Sequence, residues 1–171
     1  MEELNLYILT TNRNKNIILS FISEIESNNE LKLMNDEVMV VPPNYNGDLE
    51  RIEEYDWIPV TNINDVIELG SLNPSRSFSC YLKINNEKIR SIIIGFTVDS
   101  HLILGLSLGN SDENYEYSKK LLSSLFIKYN GISGGIFIEQ FPALSKDLFE
   151  KYLKENSLFK LDQSSFMEEK L

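Results

Sequence analysis

Apolar and polar residues alternate with a period of two at the start of the chain. Leu4, Leu6, Ile8 and Thr10 fall on one side, and Asn5, Tyr7, Leu9 and Thr11 on the other, which predicts a first strand covered on both faces. The period then lengthens. Ile17, Ile18, Phe21, Ile22 and Ile25 form one helical stripe, and the side-chain oxygens of Asn12 and Asn14 can cap it by accepting from first-turn amides. Ser27-Asn28-Asn29 ends that helix. The β-prone run from Leu31 to Pro42, carrying Leu33, Val38, Val40 and Val41, predicts a strand kinked at Asn35-Asp36. Pro42 to Asp48 is the most turn-rich stretch and predicts an exposed loop that runs into the acidic residues Glu50, Glu53, Glu54 and Asp56.

Asn62 or Asn64 can cap a short helix that buries Ile63, Val66, Ile67 and Leu69, with Gly70 and then Asn73-Pro74 as its stop. Three clear alternations follow. Phe78, Cys80, Leu82 and Ile84, then Ile92, Ile94, Phe96 and Val98, then Leu102, Leu104, Leu106 and Leu108 each build one apolar face, with turns at Asn85-Asn86 and Asp99-Ser100. This predicts an antiparallel meander over about 76–108. Ser111 caps a long helix with Asp112 and Glu113 at its positive end and Lys128 at its negative end; its inner stripe is Tyr115, Ser118, Leu121, Leu122, Leu125, Phe126 and Tyr129, and Gly131 is its stop. Ile132 to Glu139 predicts another strand, and Ser145 caps a last helix with Leu148, Phe149, Tyr152 and Leu153 inward. The tail over 162–171 is polar and is expected to fray.

Burying all these stripes at once calls for an α+β fold with a mixed, largely antiparallel sheet and helices packed on it. With 171 residues, 42% hydrophobic, the chain is expected to form one domain over 1–171 around one core. The charge narrows the partners. Sixteen Lys and Arg against 26 Asp and Glu leave −10, a surface that repels phosphate backbones and favours a basic protein partner over nucleic acid. Met1 to Asn5 lack the basic start and apolar run of a signal peptide, and no apolar stretch reaches the roughly 18 residues of a membrane span. A cytoplasmic protein, off the membrane and with a reduced cysteine, is expected.

One cysteine and one histidine, Cys80 and His101, supply neither an internal disulfide nor a Cys/His zinc site. His101 is the default proton-transfer group, but it opens a strand with no orienting carboxylate and nucleophile evident beside it. Cys80 shares the register of Phe78 and Leu82, which makes it a small core hydrophobe. The spacing of Gly131, Gly134 and Gly135, and of Gly105 and Gly109, matches no phosphate-binding loop, and Asp112, Glu113 and Glu116 lack the pattern of a calcium loop. Glu139, at a strand end, could reach a cleft as acid or base, although a solvated strand end is the commoner fate of such a residue. No catalytic residue, metal site or cofactor is therefore assigned.

The segment around residues 45–57 differs from these. Tyr45, Glu50, Glu53, Glu54, Tyr55, Asp56 and Trp57 join aromatic anchors to charge of one sign, the make-up of a partner-binding surface. The pattern equally allows Trp57 to turn inward as core. In size, charge and layout, and in the segment Ser71-Leu72-Asn73-Pro74-Ser75-Arg76-Ser77-Phe78 leading into the meander, the chain resembles the small acidic α+β immunity proteins of bacterial polymorphic toxin systems. That resemblance assigns no individual residue. It implies a non-catalytic protein that neutralises or regulates a partner, often a basic toxin, by covering its active or folding surface. The alternative is a small-molecule sensor or enzyme with a pocket at a sheet-helix junction near His101, Glu139 and Gly134-Gly135.

Overall fold

The computed structural model describes residues 2–11, 13–26, 31–41 and 56–166. Strand β1 (Glu3–Thr10) leads into helix α1 (Lys15–Ile25); then come β2 (Lys32–Leu33), β3 (Glu37–Val40), β4 (Asp56–Pro59) and α2 (Ile63–Leu72). The meander is β5 (Phe78–Lys83), β6 (Ile89–Phe96) and β7 (Leu102–Gly109). Helix α3 (Asp112–Lys128), β8 (Ser133–Ile138), α4 (Lys146–Asn156) and β9 (Phe159–Asp162) follow, ending in a 3-10 turn, Gln163–Phe166. Seven strands form one sheet in the order β2-β5-β6-β7-β1-β8-β9, and β3 and β4 form a separate two-stranded ribbon. The expected α+β class is what the chain adopts, and each described pairing is antiparallel.

Strand alternation divides the sheet into two unlike faces. Leu4, Leu6 and Ile8, with Ile92, Ile94, Leu104 and Leu106, face a core closed by Ile18 and Phe21 of α1, Val66 and Ile67 of α2, and Leu122, Leu125 and Phe126 of α3. Burying each such side chain contributes about 1.5–3 kcal/mol, so this face carries most of the stability. On the other face, Tyr7, Leu9, Ile93, Ile103 and Phe137 meet a single helix, through Phe149 and Leu153 with the half-buried Leu148 and Tyr152 of α4, together with Ala143 of the loop before it and the rims of Tyr81 and Ile132. The cover there is partial.

The capping expectations hold at Asn14, Asn62, Ser111 and Ser145, each of whose side chains accepts from an amide of the first turn. Other expectations are corrected. The run at 31–42 is two strands in different sheets, parted at Met34 to Asp36, because Asn35 Oδ1 takes the Tyr81 amide at 3.0 Å where a third strand residue would otherwise pair. Gly70 does not stop α2; it sits inside the helix with the Phe96 ring against its Cα, so that a Cβ there would lie 2.4 Å from the ring. After α3 the left-handed residue is Asn130, with φ 52°, while Gly131 is small because the Phe126 ring lies over it. The start of the expected frayed tail is ordered. Asp162 pairs with Ser133, and Phe166 stacks on Phe126 with ring centroids 5.4 Å apart.

Candidate functional site

The opening of the partly covered face lies over β5 and the Glu3 end of β1, where clefts adjoin Tyr81. Tyr81 stands at its centre, on the polar side of β5, and lines three adjoining clefts. The first, of about 180 Å³, lies between β5 and the ribbon, with Glu37, Met39, Trp57, Ser79 and Pro142 among its walls. A second, of about 450 Å³, opens toward Met34, Ile89 and Arg90. A third, of about 70 Å³, is walled by Glu3, Asn5, Tyr7, Glu139, Gln140 and Phe141.

Local sequence explains how these walls are held. Tyr7 is fully buried and donates its hydroxyl to the Gln140 carbonyl, and Asn5 Oδ1 accepts from the Gln140 amide at 2.8 Å, so β1 fixes the loop that carries Phe141 and Pro142. Glu139 has φ 50°, and its carboxylate accepts from the Glu3 amide at 2.5 Å. Arg90 is an extra residue in β6, since Ile89 and Ser91 face the consecutive residues Leu108 and Ser107; its guanidinium reaches Glu3 Oε1 at 3.3 Å. Burial pushes the Tyr81 phenol up to about 12, and the nearby Cys80 and Glu3 add to this against a hydrogen bond from Ser79. Tyr81 is thus a neutral ring with a polar tip at physiological pH. Trp57 is 52% exposed, Phe141 77% and Met34 58%, so the rim is apolar while the floor bears hydroxyls.

Of the residues expected to bind a partner, Tyr45, Glu50, Glu53, Glu54 and Tyr55 lie outside the described residues. Asp56 and Trp57 lie on β4, opposite Val40 and Met39. Asp56 accepts from Arg76 Nη1 at 3.0 Å, an exposed pair in which its charge is partly offset. Trp57 faces outward, at the rim of the first cleft. Tyr81, Glu37 and Phe141 were missed. In sequence Tyr81 reads only as the outward half of a strand alternation, and the loop that brings Phe141 across from β8 leaves no local signal.

The groups named for a pocket near His101 and Glu139 are not gathered in one place. Glu139 adjoins Glu3, whereas His101 lies beyond the far end of β1, whose Thr10 faces Leu102. At roughly 3.3 Å per residue the strand keeps them about 23 Å apart. Between them, Gly134 and Gly135 are packed under Leu122 and Leu153. His101 Nδ1 does lie 3.2 Å from Asp99 Oδ1, but without hydrogen-bond alignment, and Asp99 is already engaged by Thr97 Oγ1 at 2.6 Å and by the Lys146 amide at 3.0 Å. The imidazole belongs to the β6-β7 turn. Cys80 is fully buried, and burial pushes its thiol up to about 12, which suits a core position.

Near the same turn, Arg13 binds four carbonyls, of Gly70, Asn73, Pro74 and Thr97, at 2.7–3.2 Å. Burial lowers its pKa to about 10, which leaves it charged at neutral pH. Through Nη1 and Nη2 it closes the open C-terminus of α2, while its buried Nε has no hydrogen-bond partner among the described residues. Among the described residues no group of three His, Cys, Asp or Glu is placed to hold a metal ion, and no helix is long and apolar enough to cross a membrane. No protein-family model, no curated protein and no solved structure matches the chain.

Proposed function

We propose that the chain is a non-catalytic binding protein that neutralises or regulates a partner protein, and specifically an immunity protein for a basic bacterial toxin, acting in the cytoplasm. The observation that carries this reading is the outward position of Trp57, the sole tryptophan, at the rim of a groove it shares with Tyr81 and Pro142. A large aromatic left half in water serves as an anchor when another surface covers it. The net charge of −10 favours fast encounter with a cationic partner. The separation of His101 from Glu139 supports binding over catalysis.

Co-expression with a growth-arresting product of a neighbouring gene tests the reading. Growth is expected to return with the wild type and with His101→Ala. Rescue is expected to weaken with Trp57→Ala and with charge reversal at Glu50, Glu53 and Glu54. Absence of rescue by the wild type, or loss of rescue with His101→Ala alone, overturns it.

A further inference from the structure

Resting on the reading that a protein is bound, we infer that the partner enters as an extended segment bearing lysine or arginine, which crosses Tyr81 between Glu37 and Glu139 and pairs its backbone with Ser79. Described residues pair with the outer edge of β5 at every outward-facing position but one. Lys83 and Leu82 pair with β2; the Tyr81 carbonyl takes the Met34 amide at 2.8 Å and the Tyr81 amide is held by Asn35 Oδ1 at 3.0 Å. Two residues before Ser79, Ser77 exchanges both backbone bonds with Val41, at 2.7 and 3.3 Å. Antiparallel alternation turns the Ser79 amide and carbonyl to this same edge, midway between the two points of pairing, where no described strand residue pairs with it. They face the cleft of about 180 Å³. A chain crossing there finds one main-chain donor and one acceptor at Ser79, and the bonds already made at Ser77 and Tyr81 confine its backbone pairing to that residue.

The electrostatics set the sign of the occupant. Glu37 is on the wall of that cleft and Glu139 on the wall of the smaller one across Tyr81, where Glu3 is already paired with Arg90 at 3.3 Å; Lys83 and Arg90 line the remaining cleft, so the acidic path over Tyr81 runs from Glu37 to Glu139. Trp57, Tyr81 and Phe141 offer ring surface beside these carboxylates, and aromatic faces attract ammonium and guanidinium groups. An acidic peptide or a phosphate backbone would meet the same carboxylates as repulsion.

The probe is a short blocked peptide alternating lysine and valine, titrated into the full ¹⁵N-labelled chain, with a glutamate-valine peptide as control. The expected result is saturable binding of the lysine peptide alone, with shifts at the Ser79 amide and the Trp57 indole and slower hydrogen exchange at Ser79. The Glu37→Lys/Glu139→Lys variant, its fold checked by circular dichroism, is expected to bind at least about tenfold more weakly, while Glu155→Lys on exposed α4 binds like the wild type. Absence of saturable shifts in the wild type, shifts centred on α3, or equal binding of the glutamate peptide overturns the inference. Failed growth rescue with groove binding intact removes the proposed function alone, and rescue without groove binding removes the groove alone.

Discussion

Ser91 Oγ and Ser107 Oγ stand 2.6 Å apart, both buried, across the pairing of β6 with β7. Each hydroxyl answers the other, so removing one strands its partner away from water. Ser91→Ala is expected to cost about 1–3 kcal/mol, and Ser91→Ala/Ser107→Ala less than the sum of the single changes, because the double variant leaves no orphan. Urea unfolding of the cycle checks this. Strictly additive losses would mean that the two hydroxyls do not depend on each other.

Arg13 lies with its guanidinium 4.9 Å from the Phe96 ring centroid while binding its four carbonyls. A lysine keeps the charge but not the planar fork. Arg13→Lys is expected to destabilise by about 1–3 kcal/mol, with the amides of the last turn of α2 exchanging first. Unchanged stability would assign the holding of that helix end to other groups.

At Gly70 two effects oppose each other. Alanine gains about 1 kcal/mol of helix propensity, but its Cβ would come 2.4 Å from the ring of Phe96, which is itself pinned against Phe78 at a 4.6 Å centroid distance. Overpacking of this kind costs about 1–3 kcal/mol. Gly70→Ala is therefore expected to lower the thermal midpoint, and a rise would mean that Phe96 can retreat.

Asp99 links pH to stability. Its burial raises the carboxyl pKa, but hydrogen bonds from Thr97 and from the Lys146 amide, with His101 nearby, outweigh this and hold it below the ordinary value. The stabilisation is thus complete above the unfolded value of about 3.9 and is lost as pH falls through the lower folded value. Asp99→Asn is expected to be less stable than the wild type at neutral pH, with the gap closing only in that acidic window. A gap independent of pH, measured by urea midpoints across a pH series, would deny Asp99 this role.

Trp57 reports on the ribbon directly, since no other tryptophan contributes. Its emission is expected to be that of a partly hydrated indole, readily quenched by acrylamide. A blue, unquenched signal would place the ring inside the protein.

The meander, the four caps and the division of faces were legible because each is written in local periodicity: Leu102, Leu104, Leu106 and Leu108 can share a core only as alternate strand residues. What escaped depends on distant pairing. The strand at Phe159–Asp162 alternates over four residues only, Phe159 and Leu161 against Lys160 and Asp162, too short a pattern to stand out until β8 offers it an edge. The interruption at Asn35-Asp36 was legible, but not that it parts two sheets, because its partner, the Tyr81 amide, lies 46 residues away. Gly70 and Gly131 were read as helix stops because glycine's conformational freedom can be read from local sequence, whereas the aromatic rings that actually require the missing Cβ come from elsewhere in the fold. Of the groove, Trp57 was legible as an aromatic in acidic sequence, while Tyr81, Glu37 and Phe141 become neighbours only once the sheet and the loop after β8 are assembled.

The first strand of the chain is flanked by β7 and β8, pairing with Leu102–Gly109 on one side and Ser133–Ile138 on the other. A ribosome therefore releases β1 long before either neighbour exists, and Leu4, Leu6 and Ile8 must wait without a sheet to join. Such long-range closure slows folding and exposes an adhesive segment to the crowded cell in the meantime. Newly made chains should thus depend on chaperones until about residue 138 has emerged, and a truncation before β8 should aggregate rather than yield a smaller working protein.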